Sequence, residues 1–278
     1  AMRMRGWWTR GVFALGLALA AWPAGAAAPA PVAARGEPRV LVTRLEGPVS
    51  PIMAEALRRA IDRARDGGYA ALVIEVDTPG GLETSMRAMV KDLLASEVPV
   101  IAWVGPGGAR AASAGVFVVM ASDVAMMAPG TNIGAATPVN MQGPMDSTLA
   151  RKATNDAAAF ARTIAAQRSR NAAWAEDAVR NAVAVEEREA VRLAVVDTIA
   201  ATLDEVLALA DGRTWRRGDV TRTLALRGAT VVRLEPDIRQ RVLALIAEPN
   251  VAYLLMMIGF YGIMFELQNP GAILPGVV

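Results

Sequence analysis

The sequence predicts an α/β domain made of β-α units, and three observations predict it. From Arg39 to about Gly212, short apolar runs alternate with stretches of helical periodicity, the pattern of a sheet with helices packed on it. Ala70 to Val76 (AALVIEV) is apolar almost throughout, as a strand covered on both faces must be. Two consecutive strands then run into glycine-rich loops, Asp77 to Gly81 and Gly105 to Gly115, at the sheet edge where α/β proteins bind ligands.

Taken in order, residues 1–26 read as an export signal: Arg3, Arg5 and Arg10, the apolar run Val12 to Trp22, then Ala24, Gly25 and Ala26. That apolar core is shorter than the roughly 20 residues a spanning helix needs. Residues 27–38 are an Ala/Pro-rich tether. The domain, residues 39–212, opens with a strand at Val40 to Leu45. Ser50 as N-cap and Pro51 in the first turn start a helix through Arg65, which Gly67 and Gly68 close. After the buried strand and Asp77 to Gly81 come a helix from Glu83 to Ala95 and a strand from Pro99 to Val104. The second glycine loop leads to a helix from Val116 to Ala121 and a strand from Val124 to Met127. A longer helix, Asp146 to Gln167, carries Leu149, Ala153, Phe160 and Ile164 as its apolar stripe.

Residues 213–248 read as a connector, with strands between Arg222 and Leu234 and an amphipathic helix marked by Ile238, Val242, Leu245 and Ile246. Val251 to Phe265 is apolar, uncharged and without a polar face, so residues 249–278 are expected to begin a membrane region. Beside Asn269, Pro270 and Gly271, the run reads as the first leg of a C-terminal membrane hairpin, whose second leg the sequence enters but does not finish.

Composition narrows the chemistry. Among 278 residues there is no histidine and no cysteine, and 27 arginines stand against two lysines, Lys91 and Lys152. A Ser/His/Asp triad, a cysteine nucleophile and a typical zinc site are therefore excluded, and an enzymatic base must be a carboxylate or a lysine, since arginine keeps its proton. With no cysteine the core must hold the exported fold without disulfides. A net charge of +2, partly in the signal, gives no reason to expect nucleic acid as a partner.

Of the seven serines, six have ordinary places, as a cap, within or near the ends of helices, or, for Ser122, just before a strand. Ser113 stands where a loop gives way to a helix, among Ala111, Ala112, Ala114 and Gly115, with the Ala114 N–H beside it. The placing follows the logic of a nucleophile elbow without the G-x-S-x-G pattern, and a helix-packing serine is the plain alternative. Lys152 lies three residues from Leu149, at the flank of the apolar stripe, where burial would favour a neutral amine; an i,i+4 pair with Asp156 is the competing use. Lys91 reads as a solvated helix cation.

Five segments together carry a family likeness: D-T-P-G-G at Asp77 to Gly81, A-A-S-A-G around Ser113, T-N-I-G-A-A from Thr131 to Ala136, the helix bearing Lys152, and L-A-V-V-D from Leu193 to Asp197. In order and spacing they resemble the protease domain of the NfeD family, membrane-bound serine proteases with a Clp-protease or crotonase-type fold. F-E-L-Q-N-P-G at Phe265 to Gly271 is similar to that family's first membrane spans. The resemblance implies Ser113 as nucleophile, Lys152 as general base, and backbone N–H groups of Gly80 or Gly81 and of Ala114 as the oxyanion hole. It implies a groove for an extended peptide lined by Pro79, Leu82, Thr131, Asn132, Ile133 and Gly134, with no metal or cofactor. The partners expected are a peptide or membrane-protein substrate, stomatin-like in this family, the lipid bilayer through the C-terminal segment, and further copies of the chain. The protease domain is expected on the exported side of the cell membrane. Longer members of the family continue into several membrane helices and a small β-barrel.

Three rivals stand beside this reading. A catalytically idle scaffold for stomatin- or flotillin-like proteins needs the same groove and membrane segment. A signal-peptide-peptidase-like Ser/Lys protease needs the same pair of residues. Acyl-CoA chemistry, also found on crotonase-type folds, is weakened by the export signal.

Overall fold

The computed structural model describes residues 37–139, 143, 146–235, 242, 245–246 and 249–268. The expected export signal, nearly all of the tether, Ile238 and the second leg of the hairpin lie outside the described residues.

The centre of the domain is a six-stranded sheet in the order β11-β1-β2-β3-β5-β8, with every neighbouring pair parallel. These strands are β1 (Arg39–Glu46), β2 (Ala71–Asp77), β3 (Val100–Val104), β5 (Val124–Met127), β8 (Thr198–Ile199) and β11 (Thr230–Arg233). The helices between them are α1 (Pro51–Asp66), α2 (Glu83–Ala95), α3 (Ala114–Ala121), α4 (Ser147–Gln167), α5 (Ala172–Arg180), α6 (Glu187–Arg192) and α7 (Leu203–Ala210). Alternation along each strand divides the core in two, because successive side chains point to opposite faces. Leu72, Ile74 and Val76 of β2 join Val100, Ala102 and Val104 of β3 beneath α1 to α5. Val73, Ile101 and Trp103 face the other way, with Val206 and Leu207 of α7, and with Trp215, Leu224 and Leu226.

Local signals account for the helix ends. Ser50 caps α1, accepting from the Met53 N–H at 3.3 Å, and Pro51 occupies the first turn. Asp146 caps α4, accepting from the N–H groups of Thr148 and Leu149. A second, small sheet in the order β4-β6-β7 is built from β4 (Arg110–Ala112), β6 (Asn132–Gly134) and β7 (Ala184–Glu186), and the hydrogen bonds of Thr78 attach it to the end of β2.

The domain does not stop at Gly212, where the sequence suggested a boundary. A hairpin of β9 (Thr214–Arg217) and β10 (Val220–Thr223) packs Trp215 into the second core, and β11 completes the main sheet beside β1. Buried charges fasten this extension. Asp123 is nearly inaccessible; it forms an ion pair with Arg168 at 3.1 Å and accepts from the Arg217 guanidinium and from the Val100 N–H. Burial pulls the Arg168 guanidinium below its usual value, against the attraction of Asp123. Glu75 of β2, also buried, pairs with Arg44 of β1 and Arg233 of β11, each at 2.9 Å.

Residues 249–268 form α8 (Pro249–Gln268), which exposes Tyr253, Leu254, Met256, Phe260 and Phe265. Among the described residues no helix is long and apolar enough to cross a membrane.

Candidate active site

Both glycine loops leave the carboxyl edge of the parallel sheet, one after β2 and one after β3, and they meet at Ser113. That residue is the N-cap of α3, with φ 52° and ψ −112°, and its side chain makes no capping hydrogen bond. A positive φ is costly for a residue with a β-carbon and persists only where neighbours impose it. Here the Ser113 N–H donates to the Gly134 carbonyl at 3.0 Å, while its own carbonyl accepts from the Val116 N–H at 3.1 Å. Among the described residues the hydroxyl has no hydrogen-bond partner, and it lies half-buried at the positive end of α3.

The first loop is laid against this serine. A β-carbon at Gly80 would stand 2.5 Å from Ser113 Cβ and 2.9 Å from Ser113 Oγ, so only glycine permits the approach. At Gly81 a β-carbon would stand 2.3 Å from the Val49 carbonyl oxygen. The two glycines are not equivalent as donors. The Gly80 N–H is spent on Thr78 Oγ1 at 3.1 Å. Val49 bonds the Gly80 carbonyl at 2.7 Å and the Leu82 N–H at 2.9 Å, which turns the intervening Gly81 N–H away from Val49. Within the described residues neither the Gly81 N–H nor the Ala114 N–H, first in α3, finds an acceptor.

The groove residues divide. Pro79, Leu82 and Asn132 are exposed beside the site. Ile133 is fully buried in the main core and Thr131 gives its hydroxyl to the Ala128 carbonyl at 2.6 Å, so neither side chain lines a groove. Gly134 contributes its carbonyl, in contact with Ser113. Sequence reasoning missed Thr78, which is fully buried, and whose signal was a hydroxyl at the mouth of an apolar strand.

Lys152 corrects an expectation. The amine was expected to be desolvated at the flank of the α4 stripe, and it is exposed. The reason is length: α4 has 21 residues and α5, packed against it, has 9, so α4 outruns its partner by about 18 Å. Its buried face begins at Ala157, and Leu149, one turn before Lys152, is 58% exposed. No hydrogen bond joins Ser113 to Lys152 among the described residues. The competing pair with Asp156 is not made either, because Asp156 bonds Arg87 of α2. Lys91 is exposed, as a solvated cation should be.

A parallel sheet with a serine elbow and a facing glycine loop at its carboxyl edge defines an α/β domain of the Clp-protease/crotonase type. The family profile described as the NfeD1b N-terminal domain matches residues 39–234, and that of the NfeD integral membrane domain matches residues 250–278. The chain belongs to the NfeD family. It is 31% identical over 243 residues, 86% of this chain, to the membrane-bound protease PH1510 of Pyrococcus horikoshii, and 26% identical over 239 residues, 85% of this chain, to the membrane protein NfeD1b of Bacillus subtilis. The chain spans about half the length of these curated relatives, 55% and 53%. Among solved structures it is similar to the 1510-N membrane protease specific for a stomatin homolog from Pyrococcus horikoshii, with TM-score 0.67, 28% identity, and coverage of 76% of this chain and all of that one. A lysine-to-alanine mutant of the 1510-N protease in complex with a substrate peptide matches with TM-score 0.70 and 28% identity over 76% of this chain and 98% of that one.

Proposed function

We propose that this chain is a membrane-associated serine endopeptidase that cleaves hydrophobic segments of membrane-protein partners such as stomatin-like proteins, with Ser113 as nucleophile and Lys152 as general base. One observation carries the reading: a serine with a strained backbone, packed against Gly80, whose hydroxyl and whose neighbouring Gly81 and Ala114 N–H groups find no hydrogen-bond partner among the described residues. The neutral amine of Lys152 takes the Ser113 proton as Oγ attacks the peptide carbonyl, and the two N–H groups hold the oxyanion. Collapse breaks the C–N bond, the lysine returns the proton to the leaving amine, and water then releases the acyl group through the same base. An extended peptide lying across the exposed Leu82 and Leu149 supplies the cover that Lys152 lacks in the isolated chain. The serine and lysine mutants among the 1510-N structures support the choice of residue types. The domain acts on the exported side of the membrane, held there by residues 250–278.

The exposure of Lys152 favours the rival reading of an idle scaffold. A fluorophosphonate probe applied to the detergent-solubilised chain decides between them. For the protease, wild type labels while Ser113→Ala and Lys152→Ala do not. Equal labelling of all three, or none, supports the scaffold.

A further inference from the structure

We infer that Thr78 is the positioning residue of the oxyanion loop, its hydroxyl fixing which peptide N–H of the glycine pair faces the reacting carbonyl. The inference rests on the protease reading above and adds a residue to it. Thr78 Oγ1 donates to the Gly47 carbonyl at 2.7 Å and accepts the Gly80 N–H at 3.1 Å, so one buried hydroxyl ties the glycine loop to the turn after β1. That second bond takes Gly80 out of contention as an oxyanion donor and leaves the Gly81 N–H.

The same residue holds the loop in register with the nucleophile. Its N–H donates to the Arg110 carbonyl at 2.8 Å, and its carbonyl accepts from the Ala112 N–H at 3.0 Å, pairing it with β4 directly ahead of Ser113. Its methyl group lies against Gly115 in the first turn of α3, where a β-carbon would stand 2.7 Å from Thr78 Cγ2. Thr78 therefore touches the donor loop, the nucleophile strand and the helix that carries the second donor. Without the hydroxyl, the Gly80 N–H is left buried with no acceptor, and rotating the Gly80 peptide to satisfy it would displace the neighbouring Gly81 N–H. Misplaced donors lose transition-state stabilisation without weakening ground-state binding.

The test is the fluorophosphonate reaction of the 278-residue chain in detergent, with the maximal labelling rate and the half-saturating probe concentration measured separately. Thr78→Ser and Thr78→Ala form the decisive pair, since both lack the methyl group and differ by the hydroxyl. Thr78→Val replaces the hydroxyl at nearly constant volume. The serine variant should label within about threefold of wild type, and the alanine and valine variants at a maximal rate lower by on the order of 10²-fold, as when one oxyanion donor is lost, with the half-saturating concentration little changed. Alanine labelling as fast as serine, or serine as slow as alanine, overturns the role of Thr78, and this pair decides even if the valine variant does not fold. If wild type labels no better than Ser113→Ala, the protease reading falls and this assignment falls with it.

Discussion

At the residue scale, the two lysines offer the sharpest comparison. Lysine can lose its proton and arginine cannot, so Lys152→Arg keeps charge and length but removes the base, while Lys91→Arg changes neither. Fluorophosphonate labelling should vanish in the first variant and persist in the second; survival in Lys152→Arg would remove the lysine from the mechanism. The place of Ser113 at a loop-to-helix junction was legible in the sequence, because the second glycine loop gives way there to an apolar helical run. The choice between Gly80 and Gly81 was not, because it depends on which N–H the Thr78 hydroxyl takes, a contact set by the parallel bridge from Val49 to Gly81. The exposure of Lys152 was hidden for a different reason: a stripe read on one helix says nothing about how far the neighbouring helix extends to cover it.

At the element scale, the α1–α2 pair carries a titration with a definite sign. Asp92 of α2 is half-buried against α1, and burial pushes its carboxyl above the ordinary range, with Arg58 opposing. A carboxylate whose folded pKa is raised favours the folded state when protonated, and that advantage is lost as pH rises through the folded value. Asp92→Asn should therefore raise the melting temperature at pH 7, and the gain should fade below about pH 4, where the unfolded aspartate is protonated as well. An unchanged or lowered melting temperature at pH 7 would mean that Arg58 outweighs burial. The limits of α1 and α2 followed closely from Ser50, Pro51 and the apolar periodicity, because capping and burial act within a few residues of sequence. β8 and β11 were not legible as members of the main sheet. They are short, and their partners β5 and β1 lie far away in the chain, so what recruits them is tertiary pairing and not their own pattern.

At the scale of the whole molecule, the residues after Gly212 decide whether the domain stands by itself. A fragment ending at Gly212 loses Trp215, Leu224 and Leu226 from the second core, worth roughly 5 to 9 kcal/mol together at about 1.5 to 3 kcal/mol for each fully buried side chain. It also strips Arg217 from Asp123 and Arg233 from Glu75, leaving two buried carboxylates with fewer partners, and it uncovers the β1 edge where β11 paired. Set against the usual 5 to 15 kcal/mol of a folded domain, the first of these losses alone approaches the whole margin. A fragment of residues 37–235 should accordingly melt in one cooperative transition followed by circular dichroism, while residues 37–212 should show no such transition or aggregate. A cooperative melt of the shorter fragment within about 5 °C of the longer one would mean that the hairpin and β11 are appended to a finished domain, since even 2 kcal/mol shifts a domain of this size by about that much.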